Sequence, residues 1–240
     1  AYISGKLNIS AKGNVNVKVT GNADSSARID GAVIEISNVA VAVNVVTSEV
    51  KAEQKAYIEG AGKNSAGYTG IVSENGSITV ESVLNVNASG VIGGNSAKKG
   101  ISVSGIDGKA SSATAKAESV NIAYVNNGVL EAARGKVAIS ANTSSKTDAQ
   151  ALAPNFSLSL AEMNIVNVYT DSNDSVEAYV TGASIVRALK VDILANGTAE
   201  VTATGAVPGV TVSLVNGNAV LVTATAAKGT NGKVTKAYVG

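Results

Sequence analysis

The chain has 240 residues, 19 basic against 18 acidic side chains, no cysteine and no histidine. That composition excludes disulfides, thiolate chemistry and histidine as base or metal ligand. A net charge of +1 without blocks of like charge argues against a nucleic-acid or anionic-membrane surface.

Hydrophobic residues make up 45 % of the chain but aromatics only 3 %. The apolar mass is therefore Val, Ile, Leu and Ala, short and often β-branched side chains that suit pleated sheet better than a bulky globular centre. Read from its N-terminus, the chain repeatedly restarts. Ala-Tyr followed by Ile or Val occurs at Ala1-Tyr2-Ile3, Ala56-Tyr57-Ile58, Ala123-Tyr124-Val125, Ala178-Tyr179-Val180 and Ala237-Tyr238-Val239. The triplet takes five of the seven tyrosines, at intervals of 55, 67, 55 and 59 residues. Such recurrence is the mark of a stacked, quasi-one-dimensional architecture. It predicts a single continuous solenoid with repeats 1–55, 56–122, 123–177 and 178–236, and with 237–240 opening another, so the chain reads as a segment of a longer protein.

Alternation with a period of two runs through every repeat. In the first it is carried by Val15, Val17 and Val19, then by Ile34 and Ile36, then by Val39, Val41 and Val43. In the second it continues through Ile78-Val80, Leu84-Val86-Ala88 and Ile101-Val103. The Ala-rich stretch 110–117 also alternates, Ala113, Ala115 and Ala117 against Thr114 and Lys116, and reads as strand rather than helix. The third repeat carries Val137, Ile139 and Ala141. The fourth carries Val210-Val212-Leu214 and Val220-Val222-Ala224 around Asn216-Gly217-Asn218, a sequence that signals a turn. The uncharged stretch 201–227 is broken by Gly205, Pro208 and Gly209, so it reads as strand–turn–strand and no membrane insertion is expected.

Laying the first repeat on the third with an offset of 122 puts Val15, Val17 and Val19 on Val137, Ile139 and Ala141, and Ile34 and Ile36 on Phe156 and Leu158. One inserted residue then matches Asn44-Val45-Val46-Thr47 to Asn167-Val168-Tyr169-Thr170. The repeats thus share what reads as an inward-facing register. The second repeat's extra residues are expected in the Gly/Ser-rich stretches 60–70 and 90–100.

A string of β-sandwiches would leave about 55 residues per domain, short for seven strands, and the chain has no Trp to centre one. The expected fold is all-β, a parallel β-helix, right-handed, with coils of roughly 18–28 residues and about ten turns, hence a rod on the order of 50 Å.

The triplet, a Gly/Asn turn and an alternating run such as Gly13-Asn14-Val15-Asn16-Val17-Lys18-Val19 or Gly135-Lys136-Val137-Ala138-Ile139-Ser140-Ala141 resemble the passenger repeats of large secreted adhesins. The resemblance is to leukotoxin-type adhesins within the filamentous-haemagglutinin-like group, and it extends over the whole chain. It implies a right-handed β-helical stalk exported to the bacterial cell surface, displaying surfaces toward a host-cell or bacterial receptor or glycan. The family pattern brings no catalytic residues.

The residues themselves offer little chemistry. Asp171, Asp174 and Glu177 form the densest acidic cluster but lack the central Gly and closing Glu of a calcium loop, and read as an Asx-rich turn. The Gly-rich stretches 93–100 and 229–233 lack the spacing of a phosphate loop. No enzyme activity, cofactor or metal is expected. Alternation places each tyrosine of the triplet opposite its apolar neighbours, which makes Tyr57, Tyr124 and Tyr179 the candidate ligand contacts, weighed against simple packing between turns. The sequence therefore reads as a structural stalk and display segment. The alternatives are a module binding glycan or host protein through loops or tyrosines, and a fibre subunit associating end to end through open strand edges.

Overall fold

The computed structural model describes residues 1–5, 8–30, 34–60, 70–93, 100–152, 155–226 and 235–240. Strand accounts for 89 % of it, with no helix among the described residues. Twelve strands follow in order: β1 (Tyr2–Ser4), β2 (Ile9–Ala11), β3 (Val15–Ile29), β4 (Ile34–Glu59), β5 (Ile71–Ser73), β6 (Ile78–Ile92), β7 (Gly100–Asn126), β8 (Val129–Leu152), β9 (Asn155–Thr181), β10 (Ile185–Ala206), β11 (Gly209–Ala226) and β12 (Thr235–Val239). Every pairing is parallel.

The strands make two six-stranded sheets. One runs β1-β4-β7-β9-β11 with β12 also on β9; the other runs β2-β5-β8-β6-β3 with β10 also on β8. The chain passes from one sheet to the other and returns one rung further on, so the architecture is solenoid-like. Each return takes a whole repeat. Tyr2 pairs with Tyr57, Tyr57 with Tyr124, Tyr124 with Tyr179 and Tyr179 with Tyr238. This corrects the expected coil: partners lie 54 to 67 residues apart, not 18–28, and the described residues hold four layers and the first strand of a fifth, not ten turns. At about 4.8 Å per rung the stack rises only about 20 Å. Each layer is broad compared with its rise.

The register also locates the extra residues of the second repeat. The partner offset is 55 at Tyr2↔Tyr57, 62 at Ile9↔Ile71, 63 at Val15↔Ile78 and 67 at Ile34↔Ile101. Most of the surplus enters between Glu59 and Ile71 and between Ile92 and Ile101, as expected for loops leaving a stack. Residues 61–69 and 94–99 lie outside the described residues, as do Pro154 and the stretch 229–233.

The sheets face each other over two apolar clusters. One joins Val137, Ile139 and Ala141 of β8 to Val176, Ala178 and Val180 of β9, with their counterparts in neighbouring layers. The other joins Ala149 and Ala151 of β8 to Val166 and Val168 of β9. Between them lies a seam of small hydroxyl and amide side chains. Thr170 Oγ1 donates to Thr147 Oγ1 at 2.8 Å, and the fully buried Asn121 donates to the Asn142 carbonyl at 2.7 Å and to Thr143 Oγ1 at 3.0 Å. Gln54, one rung away from Asn121, donates to Ser82 Oγ at 3.1 Å and to the Val83 carbonyl at 2.8 Å. Polar groups taken out of water are tolerable here because each ties one sheet to the other.

Corners recur in register as well. Gly5, Gly60 and Gly182 take φ of +99°, +69° and +68°, and Asn127 holds the equivalent corner of its layer at φ 53°. Asn127 accommodates that left-handed backbone, and its Oδ1 ties the corner to the next layer by accepting the Ala183 amide at 2.9 Å. At the corner before β3 and β6, and at the equivalent Gly135 within β8, the constraint is space: a Cβ on Gly135 would lie 2.1 Å from the Gly76 carbonyl oxygen, and one on Gly76 would lie 2.5 Å from the Gly13 carbonyl carbon.

Three expectations need correction. Residues 216–218 form no turn; they pair with 162–164 inside β11. The cluster of Asp171, Asp174 and Glu177 likewise lies within β9 rather than at a turn. Finally, no residue is inserted between repeats at 44–47. Val46 lies on Ala113 and Val168, and Thr47 on Thr114 and Tyr169, at the unchanged offset of 122. A single insertion would have turned every following side chain to the opposite face.

Candidate functional site: a tyrosine ladder

Alternation settles the orientation of the triplet. In the three interior layers the flanking residues point inward: Ala56, Ala123 and Ala178 are fully buried, as are Ile58 and Val125, with Val180 nearly so. Tyr57, Tyr124 and Tyr179 therefore point outward, half-buried by one another. Parallel in-register pairing brings them together with Tyr2 and Tyr238 into one column. Successive ring centroids lie 5.2, 4.9, 5.2 and 5.0 Å apart, with interplanar angles of 8°, 4°, 10° and 17°.

The column sits in a polar surround. Lys55 pairs with Glu53 at 2.5 Å, and Asn126 donates to Glu59 at 3.1 Å, one residue column beyond each pair of rings. Burial, and then the negative charge of Glu59, raise the Tyr124 phenol above its ordinary pKa; burial and the neighbouring Tyr238 and Tyr124 do the same to Tyr179. The phenols are thus held in their neutral form. Lys55 is raised as well, by its hydrogen bond to Glu53.

The stacking limits what the column can do chemically. A sugar-binding aromatic platform presents an open ring face, whereas these rings cover each other's faces along the column. Ring edges and phenol hydroxyls remain for contact in the interior layers.

The acidic residues do not converge on a site. Asp174 accepts from Ser119 at 2.5 Å and from Ser172 at 3.0 Å, and Asp171 accepts from the Tyr169 hydroxyl at 3.3 Å. Among the described residues no group of three acidic side chains is arranged to hold a metal ion.

A second surface was hidden from sequence reasoning. In β4, β7 and β9 the alternation reverses ahead of the second apolar cluster: Ile36, Val39, Val41, Val43, Val103, Leu158 and Met163 point to solvent, while Ser102, Asp107, Ser157, Glu162 and Asn164 are buried. The expectation that Ile36 and Leu158 share an inward register is thereby corrected; they share an outward one. Four of these buried polar residues bond in pairs, Asp107 with Ser157 and Glu162 with Asn164, while the Ser102 hydroxyl finds no hydrogen-bond partner among the described residues. Asp107 Oδ2 accepts from Lys109 at 2.9 Å and Ser157 at 3.1 Å, and Asn164 donates to Glu162 at 2.6 Å and to Asn218 at 2.9 Å.

No family model matches the chain, and neither a curated protein nor a solved structure matches it.

Proposed function

We propose that this chain is a structural, non-catalytic segment of a secreted or cell-surface bacterial adhesin of the filamentous-haemagglutinin-like kind, built as a right-handed parallel β-helix. The observation that carries the proposal is the unbroken one-repeat register, from Tyr2 through Tyr57, Tyr124 and Tyr179 to Tyr238. Such a register ties every layer to the next by main-chain hydrogen bonds and gives a stiff body. Geometry shifts the emphasis of the role. About 60 residues are needed to rise one rung of about 4.8 Å, which is a slow way to gain length and a good way to build wide, rigid faces. Display is therefore the principal task, presented to a receptor or glycan on a host cell or another bacterium.

Immunogold labelling of intact cells that make the natural protein tests this. Label on the outer surface is expected; label confined to the cell interior would contradict it. A second reading, a fibre subunit, has one observation in its favour. The triplet at 237–239 stands in the register of the triplet at 1–3, so a further copy could continue the ladder from the open edges of β10 and β11. Filaments of the isolated chain under the electron microscope would favour it.

A further inference from the structure

The outward face of β4, β7, β9 and β11 is apolar and uncharged over four rungs. In the first layer it presents Ile36, Val39, Val41, Val43 and Val45, of which Val41 and Val43 are 66 % exposed. Register stacks these on Val103 and Ile106, then on Leu158, Met163 and Ile165, then on Val212, Val215 and Leu221. Between them the columns carry Gly108, Ala110, Ser112, Ala161, Asn167, Gly217 and Ala219, so no ionised side chain interrupts the face. An open groove of about 660 Å³ crosses it, lined by Ile36, Asn38, Val103, Leu158 and Leu160 among others.

We infer that this face is the interface of a lateral homodimer, in which two copies pack face to face about a two-fold axis. Three considerations select a second copy. The face spans four rungs by about ten residues, roughly 19 by 33 Å or about 600 Å². Two such faces bury about 1,200 Å² in total, the lower bound of stable specific interfaces, and about 600 Å² is at the top of what monomers leave exposed. Its relief is a set of ridges repeating every ~4.8 Å, which another sheet of the same rung spacing can interdigitate with and an irregular partner cannot. Its rim carries both signs, Glu49 and Lys51 in one layer with Lys116 and Asp171 in the next two, so charges can pair across a two-fold axis. A lipid surface would instead select a basic rim. The interface is isologous, separate from the open strand edges, and leaves the tyrosine column uncovered.

Sedimentation equilibrium of the 240-residue chain tests the inference. The expected mass is twice 23.8 kDa at tens of micromolar. Val41→Lys and Leu158→Lys each place a charge where the monomer is solvated, 66 % and 56 % exposed, so they are expected to weaken the dimer tenfold or more while the circular dichroism stays unchanged. Ser144→Lys, on the outward face of the other sheet, is expected to leave the dimer intact. A wild-type monomer throughout, a dimer indifferent to both substitutions, or flotation of the monomer with lipid vesicles would each overturn it. Since the chain has no cysteine, a spin label on Val41→Cys gives an independent reading should the lysine variants misfold. Strong intermolecular dipolar coupling is expected at position 41 and none at a label on Ser144→Cys; the reverse pattern would overturn the inference.

Discussion

Tyr57 and Tyr124 are 67 residues apart in the chain and stack with their ring centroids 4.9 Å apart and their planes within 4°. The pair is one rung of a column that follows directly from parallel pairing at a fixed register. Whatever residue occupies a position in one layer stands on its counterpart in the next, so a recurrent tyrosine becomes a stack.

Removal of an interior ring breaks two stacking contacts, and removal of a terminal ring breaks one. Tyr124→Ala is accordingly expected to lower stability by about 1–3 kcal/mol, and Tyr2→Ala by about half as much. Tyr124→Phe keeps the ring and is expected to stay within about 0.5 kcal/mol of the parent. Urea unfolding followed by circular dichroism measures all three.

Alkaline pH acts on the same column. The folded-state pKa values of Tyr124 and Tyr179 lie above the ordinary value of 10.0, so the unfolded chain gives up these protons first. Their contribution to stability is whole below pH 10.0 and is lost as pH rises through the folded values. Absorbance titration at the phenolate band is expected to show these phenols ionising later than free tyrosine, with the melting temperature falling above pH 10.0. Ionisation of both phenols below the free value would contradict the raised direction.

Corner geometry yields a pair of contrasting substitutions. Gly60→Ala places a side chain at φ +69° and is expected to cost about 1–2 kcal/mol. Gly135→Ala has ordinary backbone but drives its methyl against the Gly76 carbonyl at 2.1 Å, so two rungs must separate and a loss of about 1–3 kcal/mol is expected. Thermal denaturation of both variants beside the parent checks the two costs.

The polar seam has its own test. Asn121 is fully buried and donates to groups in β8 across the interior. Asn121→Ala leaves the Asn142 carbonyl and the Thr143 hydroxyl without this donor and is expected to cost about 2–4 kcal/mol. Amide hydrogen exchange in residues 141–143 is expected to accelerate in parallel.

Much of this architecture was legible in the residues. The triplet marked the layers, and Val15, Val17 and Val19 fell on Val137, Ile139 and Ala141 as the structure has them. Ala113, Ala115 and Ala117 declared a strand despite helical composition, and they line the second apolar cluster. Coil length was less visible, because a period of two reports which face a side chain takes and not how far the chain runs before it returns. The one direct signal was the interval between triplets, which is itself the coil. Face assignment failed for a related reason. In 34–45 alternation defines two faces, and hydrophobicity alone assigns the apolar one to the interior; in the layers stacked on it the buried side instead carries Asp107, Ser157, Glu162 and Asn164, bonded as the pairs Asp107–Ser157 and Glu162–Asn164. Alternation places the tyrosines outward, as the structure has them, but stacking of their faces cannot be read from one strand at a time.

The one-repeat register is the claim on which the rest depends, and disulfide trapping tests it most directly. Thr47 and Thr114 are in-register neighbours on adjacent rungs, both pointing outward, while Ala115 is turned to the interior. Rung neighbours lie about 4.8 Å apart, within reach of a disulfide, and the cysteine-free chain gives no background. Thr47→Cys with Thr114→Cys is expected to oxidise rapidly to an intramolecular bridge in the folded protein, and Thr47→Cys with Ala115→Cys is expected to stay reduced. Failure of the first pair to form, or equal oxidation of both pairs, would contradict a stack in which each repeat is one layer.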